Sequence, residues 1–160
     1  MDRLLDLGSG CGFPGLPLAA ALPADALLVE SIGKKARFLE TAVGATGLRG
    51  RVRVAGVRAE ELARDPAQGG RWPAVTARAV AALSRLIELA MPLLRPGGVL
   101  VAWKRGDLRD ELDAARPVAR AQGATAPEVV PAGLRGLEDH RLVIVARLSS
   151  AGSRPRSTRG

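Results

Sequence analysis

The segment between Asp6 and Gly15 combines one acid with four glycines in the order Asp-Leu-Gly-Ser-Gly-Cys-Gly-Phe-Pro-Gly. It follows the short apolar run Arg3–Leu7 and precedes Leu16–Leu22, an apolar stretch of helical spacing. Glycines at such a strand-to-helix turn let the backbone bend sharply and approach a ligand closely. The segment therefore predicts a nucleotide-binding turn at the end of the first strand.

Two nucleotide cofactors fit this turn. Gly10, Gly12 and Gly15 match the G-x-G-x-x-G pattern of dinucleotide binders, in which the helix N-terminus holds a pyrophosphate. Asp6 instead makes the segment resemble motif I of class I methyltransferases, whose cofactor S-adenosylmethionine (AdoMet) has a cationic amino acid part. A carboxylate suits that cation and does little for a pyrophosphate, and Pro14 argues against close dinucleotide packing. The turn favours AdoMet, and an NAD-binding oxidoreductase domain is the alternative.

Glu30 ends the next apolar run, Ala26–Glu30, and lies roughly 20 residues downstream, where a dinucleotide site places its ribose-binding acid. Its carboxylate can accept hydrogen bonds from both ribose hydroxyls. Because NAD and AdoMet both contain a ribose, Glu30 supports nucleotide binding without choosing between the two cofactors.

Short apolar runs alternate with longer stretches of helical spacing, which is typical of a parallel α/β sheet. The predicted strands are Arg3–Leu7, Ala26–Glu30, Arg51–Ala55, Pro73–Ala77 and Val99–Lys104, followed by Thr125–Val130 and Leu142–Arg147 as an antiparallel hairpin. The predicted helices are Leu16–Leu22, Gly33–Gly47, Ala59–Arg64, Leu83–Leu94 and Asp107–Gln122. Arg95-Pro96-Gly97-Gly98 is a stop signal after the fourth helix. We expect an α/β, Rossmann-like fold with a mainly parallel sheet and helices on both faces.

The chain has 160 residues and a single cysteine, Cys11. This length fits one domain, which we place at residues 1–148, and the Ser-, Gly-, Pro- and Arg-rich residues 149–160 predict a disordered basic tail. One cysteine excludes a disulfide framework and a multi-cysteine zinc site, and we expect no metal. No apolar run reaches the roughly 18 residues of a membrane span, and the first residues lack a signal-peptide pattern. We expect a cytoplasmic, monomeric protein without a membrane partner.

The charge of the chain favours a polyanionic partner such as nucleic acid, because 24 lysines and arginines stand against 16 acids, a net charge of +8. Twenty-one of these cations are arginines, a bias that GC-rich coding alone can produce. Aromatic residues make up 2% of the chain and tyrosine is absent, so platforms that stack single-stranded bases are not expected. Any nucleic acid would be held mainly through its phosphates.

Five further segments follow the glycine-rich turn in the order found in a known family. They are Gly33-Lys34-Lys35, Arg58-Ala59-Glu60-Glu61-Leu62, Thr76-Ala77-Arg78-Ala79-Val80-Ala81, Pro96-Gly97-Gly98 and Glu138-Asp139-His140-Arg141. With the turn, they make residues 3–148 resemble the family of ribosomal RNA small subunit methyltransferase G, also called RsmG or GidB. The second and third segments are more specific than the turn, which every class I methyltransferase shares.

The resemblance implies a class I methyltransferase fold and AdoMet-dependent methylation of N7 of one guanine in 16S ribosomal RNA, free or within the small ribosomal subunit. The expected cofactor-binding residues, four of which belong to the glycine-rich turn, are Asp6, Gly8, Gly10, Phe13, Glu30, Ser31, Ile32, Ala59, Glu60 and Arg78. The resemblance assigns RNA contacts to Arg58, Arg78 and Arg141.

Two features depart from the family pattern. The family normally carries a helical segment ahead of the glycine-rich turn, and no helix precedes the first predicted strand here. Gly56-Val57-Arg58 also differs slightly from the family's plain Gly-Arg. A truncated, non-catalytic AdoMet-binding remnant is therefore a second alternative.

The residues at the fourth predicted strand agree with N7 as the methyl acceptor. Guanine N7 has a free lone pair and no proton, so its methylation requires alignment and charge stabilisation but no general base. Methyltransferases for exocyclic amines have an Asn/Asp-Pro-Pro-Tyr/Phe motif where this chain has Thr76-Ala77-Arg78-Ala79. We predict no catalytic base and assign Arg78 to substrate positioning, since arginine commonly contacts the O6 and N7 edge of guanine. His140, the single histidine, is predicted to be a solvated or capping residue.

Overall fold

The computed structural model describes residues 2–78 and 80–149, which form seven strands and five helices. The strands are β1 (Arg3–Leu7), β2 (Asp25–Val29), β3 (Val52–Ala55), β4 (Trp72–Arg78), β5 (Leu94–Arg105), β6 (Glu128–Pro131) and β7 (His140–Ala146). The helices are α1 (Gly15–Ala21), α2 (Gly33–Ala45), α3 (Ala59–Arg64), α4 (Leu83–Ala90) and α5 (Arg109–Ala121). β1 and α3 have the predicted bounds, and most other ends differ from the prediction by one or two residues.

The strands form one sheet in the order β3-β2-β1-β4-β5-β7-β6. Strands β1 to β5 are parallel to one another, and β7 runs antiparallel to both β5 and β6. The predicted mainly parallel sheet with a terminal hairpin is thus confirmed. The strand order reverses between β1 and β4, and open α/β sheets bind ligands outside the carboxyl ends of the strands at such a point.

Helices cover both faces of the sheet and bury two apolar clusters. Side chains alternate between the two faces along each strand, so neighbouring leucines of β1 join different clusters. On one face, α1 and α2 pack on β1, β2 and β3 through Leu4, Ala19, Leu28, Leu39 and Val43. On the other face, α3, α4 and α5 pack on the central strands through Leu5, Leu62, Ile87, Ala115 and Val143, among others. Asp6 follows the alternation and lies on the α1 face.

The prediction was wrong where the fourth helix gives way to the fifth strand. Helix α4 ends at Ala90, four residues before the predicted Leu94, and β5 begins at Leu94. Leu94 pairs with Trp72 of β4, and the Gly97 N–H donates to the carbonyl oxygen of Arg147 at 2.9 Å. The Pro-Gly-Gly stop signal therefore lies inside a long strand, because residues distant in the sequence form hydrogen bonds with its backbone.

In the terminal hairpin, β6 begins later than predicted and β7 begins earlier. β6 starts at Glu128 and not at Thr125, and Pro127 between them has no N–H to add to the ladder. Thr125 still contacts β7, since its N–H donates to the carbonyl oxygen of Ala146 at 2.8 Å. β7 starts at His140, two residues before the predicted strand.

The described residues bear only in part on two further expectations, the disordered tail and the lack of a membrane span. Of the predicted tail, residues 150–160 lie outside the described residues. None of the helices within residues 2–78 and 80–149 has the length and hydropathy to cross a membrane.

Gly15 tests how tightly α1 packs on β1. It is buried, and a Cβ there would lie 2.7 Å from Asp6 Oδ2 and 2.9 Å from Asp6 Cβ. Because the helix and the strand would have to separate, we expect Gly15→Ala to lower the free energy of unfolding by about 1–3 kcal/mol in urea denaturation.

Gly50→Ala is the matched control, because nothing lies within 4 Å of a Cβ at that position. We expect its free energy of unfolding to stay within about 0.5 kcal/mol of the unsubstituted chain. Equal stability of the two variants would show that α1 can move away from β1 without cost.

Candidate active site

A cavity of about 270 Å³ opens at the carboxyl ends of the parallel strands, at the point where the strand order reverses. The turn after β1, the end of β2, the start of α3 and the segment after β4 form its walls. The lining residues are Leu7, Gly8, Val29, Glu30, Ser31, Val57, Arg58, Ala59, Glu60, Val80, Ala81, Arg85 and Leu89. The cavity therefore combines one apolar wall with a charged rim.

Glu30 fastens the glycine-rich turn to the end of β2. Its side chain accepts a hydrogen bond from the Gly10 N–H at 3.0 Å through Oε2 and one from the Ile32 N–H at 2.9 Å through Oε1. The residue is only 6% exposed. Each carboxylate oxygen has two lone pairs, so both can still accept a hydrogen bond from a ligand in the cavity.

Gly8 lets the turn approach the opposite wall closely. Its φ of +62° lies in the left-handed region that favours glycine, and a Cβ there would lie 2.6 Å from Val80 Cγ2. Any side chain at position 8 would therefore push the turn and the segment after β4 apart.

Asp6 lies beneath the turn and is fully buried. Its Oδ2 accepts a hydrogen bond from the Gly15 N–H at 3.2 Å, and its Oδ1 has no partner among the described residues. Burial raises the pKa of Asp6 to about 6, although the Gly15 hydrogen bond and the charge of Arg78 both act to lower it. A positive charge that approaches the turn would stabilise the ionised carboxylate and lower this pKa.

An ion pair links α3 to α4 at the rim of the cavity. The Arg85 guanidinium lies 2.6 Å from Glu60 and 3.0 Å from Glu88. The Arg85 and Glu60 side chains are 49% and 39% exposed, so the pair contributes little to stability and can open at small cost. Glu60 is therefore available to a ligand that reaches the rim.

A second, mostly apolar cavity of about 290 Å³ adjoins the turn on the α1 face. It is lined by Phe13, Pro14, Pro17, Leu18, Arg78 and Trp103. The Arg78 guanidinium carbon lies 5.7 Å from the centre of the Phe13 ring, within cation–π range. An exposed aromatic ring, a guanidinium and an indole thus surround one pocket beside the turn.

The structure brings most of the predicted site residues together and separates a few. Six line the first cavity, namely Gly8, Glu30, Ser31, Arg58, Ala59 and Glu60. Asp6, Gly10 and Ile32 contribute from behind it through the hydrogen bonds of the turn. Phe13 and Arg78, expected at the cofactor, line the second cavity instead.

Arg141 lies outside both cavities but at the same edge of the sheet. It pairs with Lys104 of β5, next to the register position that joins Trp103 to Arg78. Its guanidinium donates to the carbonyl oxygens of Glu138 and His140, at 2.5 and 2.9 Å. Arg78 and Arg141 are two strands apart, roughly 10 Å in the sheet.

Sequence reasoning missed part of the apolar wall of the first cavity and one of its two arginines. Val57, Leu89 and Arg85 carry no motif, although Arg85 and Leu89 stand four residues apart, a helical spacing. That spacing shows that they share one face of α4. Only the packing shows that this face turns towards the cavity.

A family model described as rRNA small subunit methyltransferase G (GidB) matches residues 1–138. The chain belongs to the GidB family. Among curated GidB relatives, the protein of Dehalococcoides mccartyi strain CBDB1 is 42% identical over 151 residues, which are 93% of this chain and 64% of the relative. That of Rubrobacter xylanophilus is 48% identical over 123 residues, or 76% of this chain and 47% of the relative. The chain spans about two-thirds or less of the length of these relatives.

Solved structures of low sequence identity share the fold of this chain. Geranyl diphosphate C-methyltransferase from Streptomyces coelicolor A3(2), in complex with S-adenosyl-L-homocysteine, superimposes with a TM-score of 0.68 at 14% identity, covering 92% of this chain and 71% of that one. The CMeT domain of the citrinin polyketide synthase superimposes with a TM-score of 0.70 at 12% identity, covering 92% of this chain and 46% of that one. The expected class I methyltransferase fold is thereby confirmed.

The buried carboxyl of Asp6 makes the stability of this GidB chain depend on pH. A raised folded-state pKa means that the folded chain loses stability from pH 4 to 6, because ionisation is easier in the unfolded chain. We expect Asp6→Asn to be more stable than the unsubstituted chain above pH 6, by about 1–3 kcal/mol, and the difference to close near pH 4.

Urea denaturation at pH 4, 5, 6 and 8 measures this difference. Asp25→Asn, at an exposed position of β2, is the control and is expected to stay within about 0.5 kcal/mol of the unsubstituted chain throughout. An Asp6→Asn variant that is less stable at pH 8 than at pH 4, relative to the unsubstituted chain, contradicts the raised pKa.

Proposed function

We propose that this chain binds AdoMet in the first cavity and transfers its methyl group to N7 of one guanine in small-subunit ribosomal RNA. The observation that carries the proposal is the grouping of the motif residues Gly8, Glu30 and Glu60 around one cavity in a chain of the GidB family. Relatives named ribosomal RNA small subunit methyltransferase G support the choice of substrate.

The walls of the cavity suggest how AdoMet would lie in it. Glu30 at the end of β2 would accept hydrogen bonds from the ribose hydroxyls, next to Ser31. The adenine would pack between Ala59 and the apolar segment after β4, with Glu60 at its edge. The cationic methionyl part would lie along the glycine-rich turn above Asp6, where its charge favours the ionised carboxylate.

The second cavity would receive the target base. Methyl transfer from a sulfonium to guanine N7 passes no proton to the protein, so the required work is alignment of the two reactants. Arg78 can donate to the O6 and N7 edge of guanine, and the Phe13 ring beside it can stack on the base. AdoMet would supply the methyl group, and the side chains of this cavity would hold the acceptor in line.

Two arginines at the same sheet edge, the exposed Arg58 and the half-buried Arg141, would hold the RNA backbone. Arg58 on the cavity rim and Arg141 at the start of β7 are suited to phosphates, which guanidinium groups bind through two parallel hydrogen bonds. The net charge of +8 adds a long-range attraction. We propose that the protein acts on this RNA in the cytoplasm and as a monomer.

The two alternatives make different demands on the site. An NAD-dependent oxidoreductase shares the glycine-rich turn and Glu30, but the GidB family match covers residues 1–138 and favours AdoMet. A non-catalytic remnant would bind AdoMet without transferring the methyl group. The order of tests is therefore cofactor first and transfer second.

Calorimetric titration of the purified chain with AdoMet, S-adenosylhomocysteine and NAD tests the cofactor. We expect micromolar binding of the first two, about −8 kcal/mol, and none of NAD. Selective NAD binding would overturn the proposal. A folded chain that binds none of the three would place the complete cofactor site in a longer protein.

Arg78→Ala tests the role of the second cavity in transfer. We expect methylation of 16S ribosomal RNA or of small ribosomal subunits to fall about 100-fold, because the acceptor loses a positioned donor. S-adenosylhomocysteine affinity should change little, since Arg78 lies outside the first cavity. Incorporation of a radioactive methyl group measures the transfer rate.

Arg53→Ala is the matched control, because Arg53 is exposed on β3, away from both proposed sites. It should methylate the RNA at the unsubstituted rate. Equal rates for the Arg78 and Arg53 variants would remove Arg78 from the site, whereas loss of S-adenosylhomocysteine binding in Arg78→Ala would assign it to the cofactor.

A further inference from the structure

One wall of the first cavity is held in place by two side chains that do not line it. Val80 and Ala81, followed by α4, make up the wall after β4. Glu111 belongs to α5 and Lys104 to β5, and both lie behind this wall. Their contacts reach the wall through its backbone.

Glu111 and Lys104 form a clamp on the backbone of residues 81–83. Glu111 Oε1 accepts a hydrogen bond from the Leu83 N–H at 2.7 Å and lies 2.5 Å from Lys104 Nζ. Lys104 Nζ also donates to the carbonyl oxygen of Ala81 at 2.8 Å. Leu83 begins α4, and the residue before it, Ala82, has no side chain that could cap the helix. Glu111 thus serves as the N-terminal cap of a different helix.

The clamp is partly shielded from water. The Lys104 side chain is 13% exposed and that of Glu111 27%. A partly buried pair is screened less by solvent than the Arg85 pair at the rim, and removing one partner leaves the other charge without compensation. The clamp therefore fixes the segment more firmly than a surface ion pair could.

The clamped segment directly faces the glycine-rich turn. Val80, the residue before it, packs against Gly8 so closely that a Cβ on Gly8 would meet its side chain at 2.6 Å. The width of the cavity between the turn and this wall is therefore set by where residues 80–83 lie. In the described part of the chain, the hydrogen bonds that tie residues 80–83 to elements other than α4 are those of the clamp.

We propose that Glu111 is a positioning residue for the cofactor, acting through the backbone of residues 81–83 and through Lys104. The proposal rests on the proposed function, because it takes AdoMet as the occupant of the first cavity. Glu111 lines neither the first nor the second cavity, so it acts on cofactor binding and leaves the alignment of the base to Arg78 and Phe13.

The test compares Glu111→Ala and Glu111→Gln with Asp113→Asn, which removes an exposed carboxylate two residues further along α5. We expect Glu111→Ala to weaken the Kd for S-adenosylhomocysteine about tenfold, the cost of losing one hydrogen bond to a charged group. Glu111→Gln keeps an oxygen that can accept from the Leu83 N–H, so its affinity for S-adenosylhomocysteine should fall only about threefold. Asp113→Asn should bind like the unsubstituted chain.

Two further measurements separate positioning from a general loss of stability. In the methylation assay, Glu111→Ala should raise the KM for AdoMet and leave kcat unchanged, the pattern of lost uniform binding. In amide hydrogen exchange, the Leu83 N–H should exchange faster in Glu111→Ala, while amides of the α2–β3 side of the sheet keep their rates.

Each outcome decides the proposal. Unchanged affinity and unchanged Leu83 exchange in Glu111→Ala would overturn it, as would an equal fall in kcat and kcat/KM with cofactor affinity intact. An unsubstituted chain that binds no S-adenosylhomocysteine would contradict the proposed function and the cofactor role of Glu111 together. Leu83 exchange would then still show whether Glu111 holds the segment.

Discussion

The carboxylate of Glu30 is the contact on which the geometry of the site depends. It holds the N–H groups of Gly10 and Ile32, and so joins the turn after β1 to the start of α2. Without it, two backbone N–H groups at the cavity would have to find other partners, since an unsatisfied buried donor costs about 1–3 kcal/mol. A ligand in the cavity therefore meets a turn whose shape has been set before the ligand arrives.

The second carboxyl group of the site, that of Asp6, has a different role from that of Glu30. Asp6 is buried where its charge is costly, and burial raises its pKa to about 6. Nearby Arg78 and the Gly15 N–H offset part of this cost without removing it. Such unrelieved burial is common at functional sites, where a group is held ready for a charge that comes with the substrate or cofactor.

The two layers of helices contribute differently to the site. Helices α1 and α2 form the layer against which the turn and Asp6 are packed. Helices α3, α4 and α5 belong to the larger core, and the last two carry the ion pairs that border or support the cavity. The cavity thus lies between a wall fixed by glycine packing and the Glu30 carboxylate and a wall fixed by the ion pairs of the other layer.

The sequence by itself determined the strands, the turn and the acid at the end of β2. Buried parallel strands are continuous apolar runs, and the Gly-rich turn and Glu30 are local signals at fixed spacing. The tertiary structure decided which residues complete the walls. Arg85, Val57 and Glu111 belong to no motif. Arg85 pairs with Glu60, 25 residues away, and Glu111 accepts from the N–H of Leu83, 28 residues away. The extension of β5 across Pro96-Gly97-Gly98 depends likewise on Arg147, 50 residues further along. Such contacts arise only when helix faces and strand edges meet, because local periodicity fixes which residues share a face but not what that face contacts.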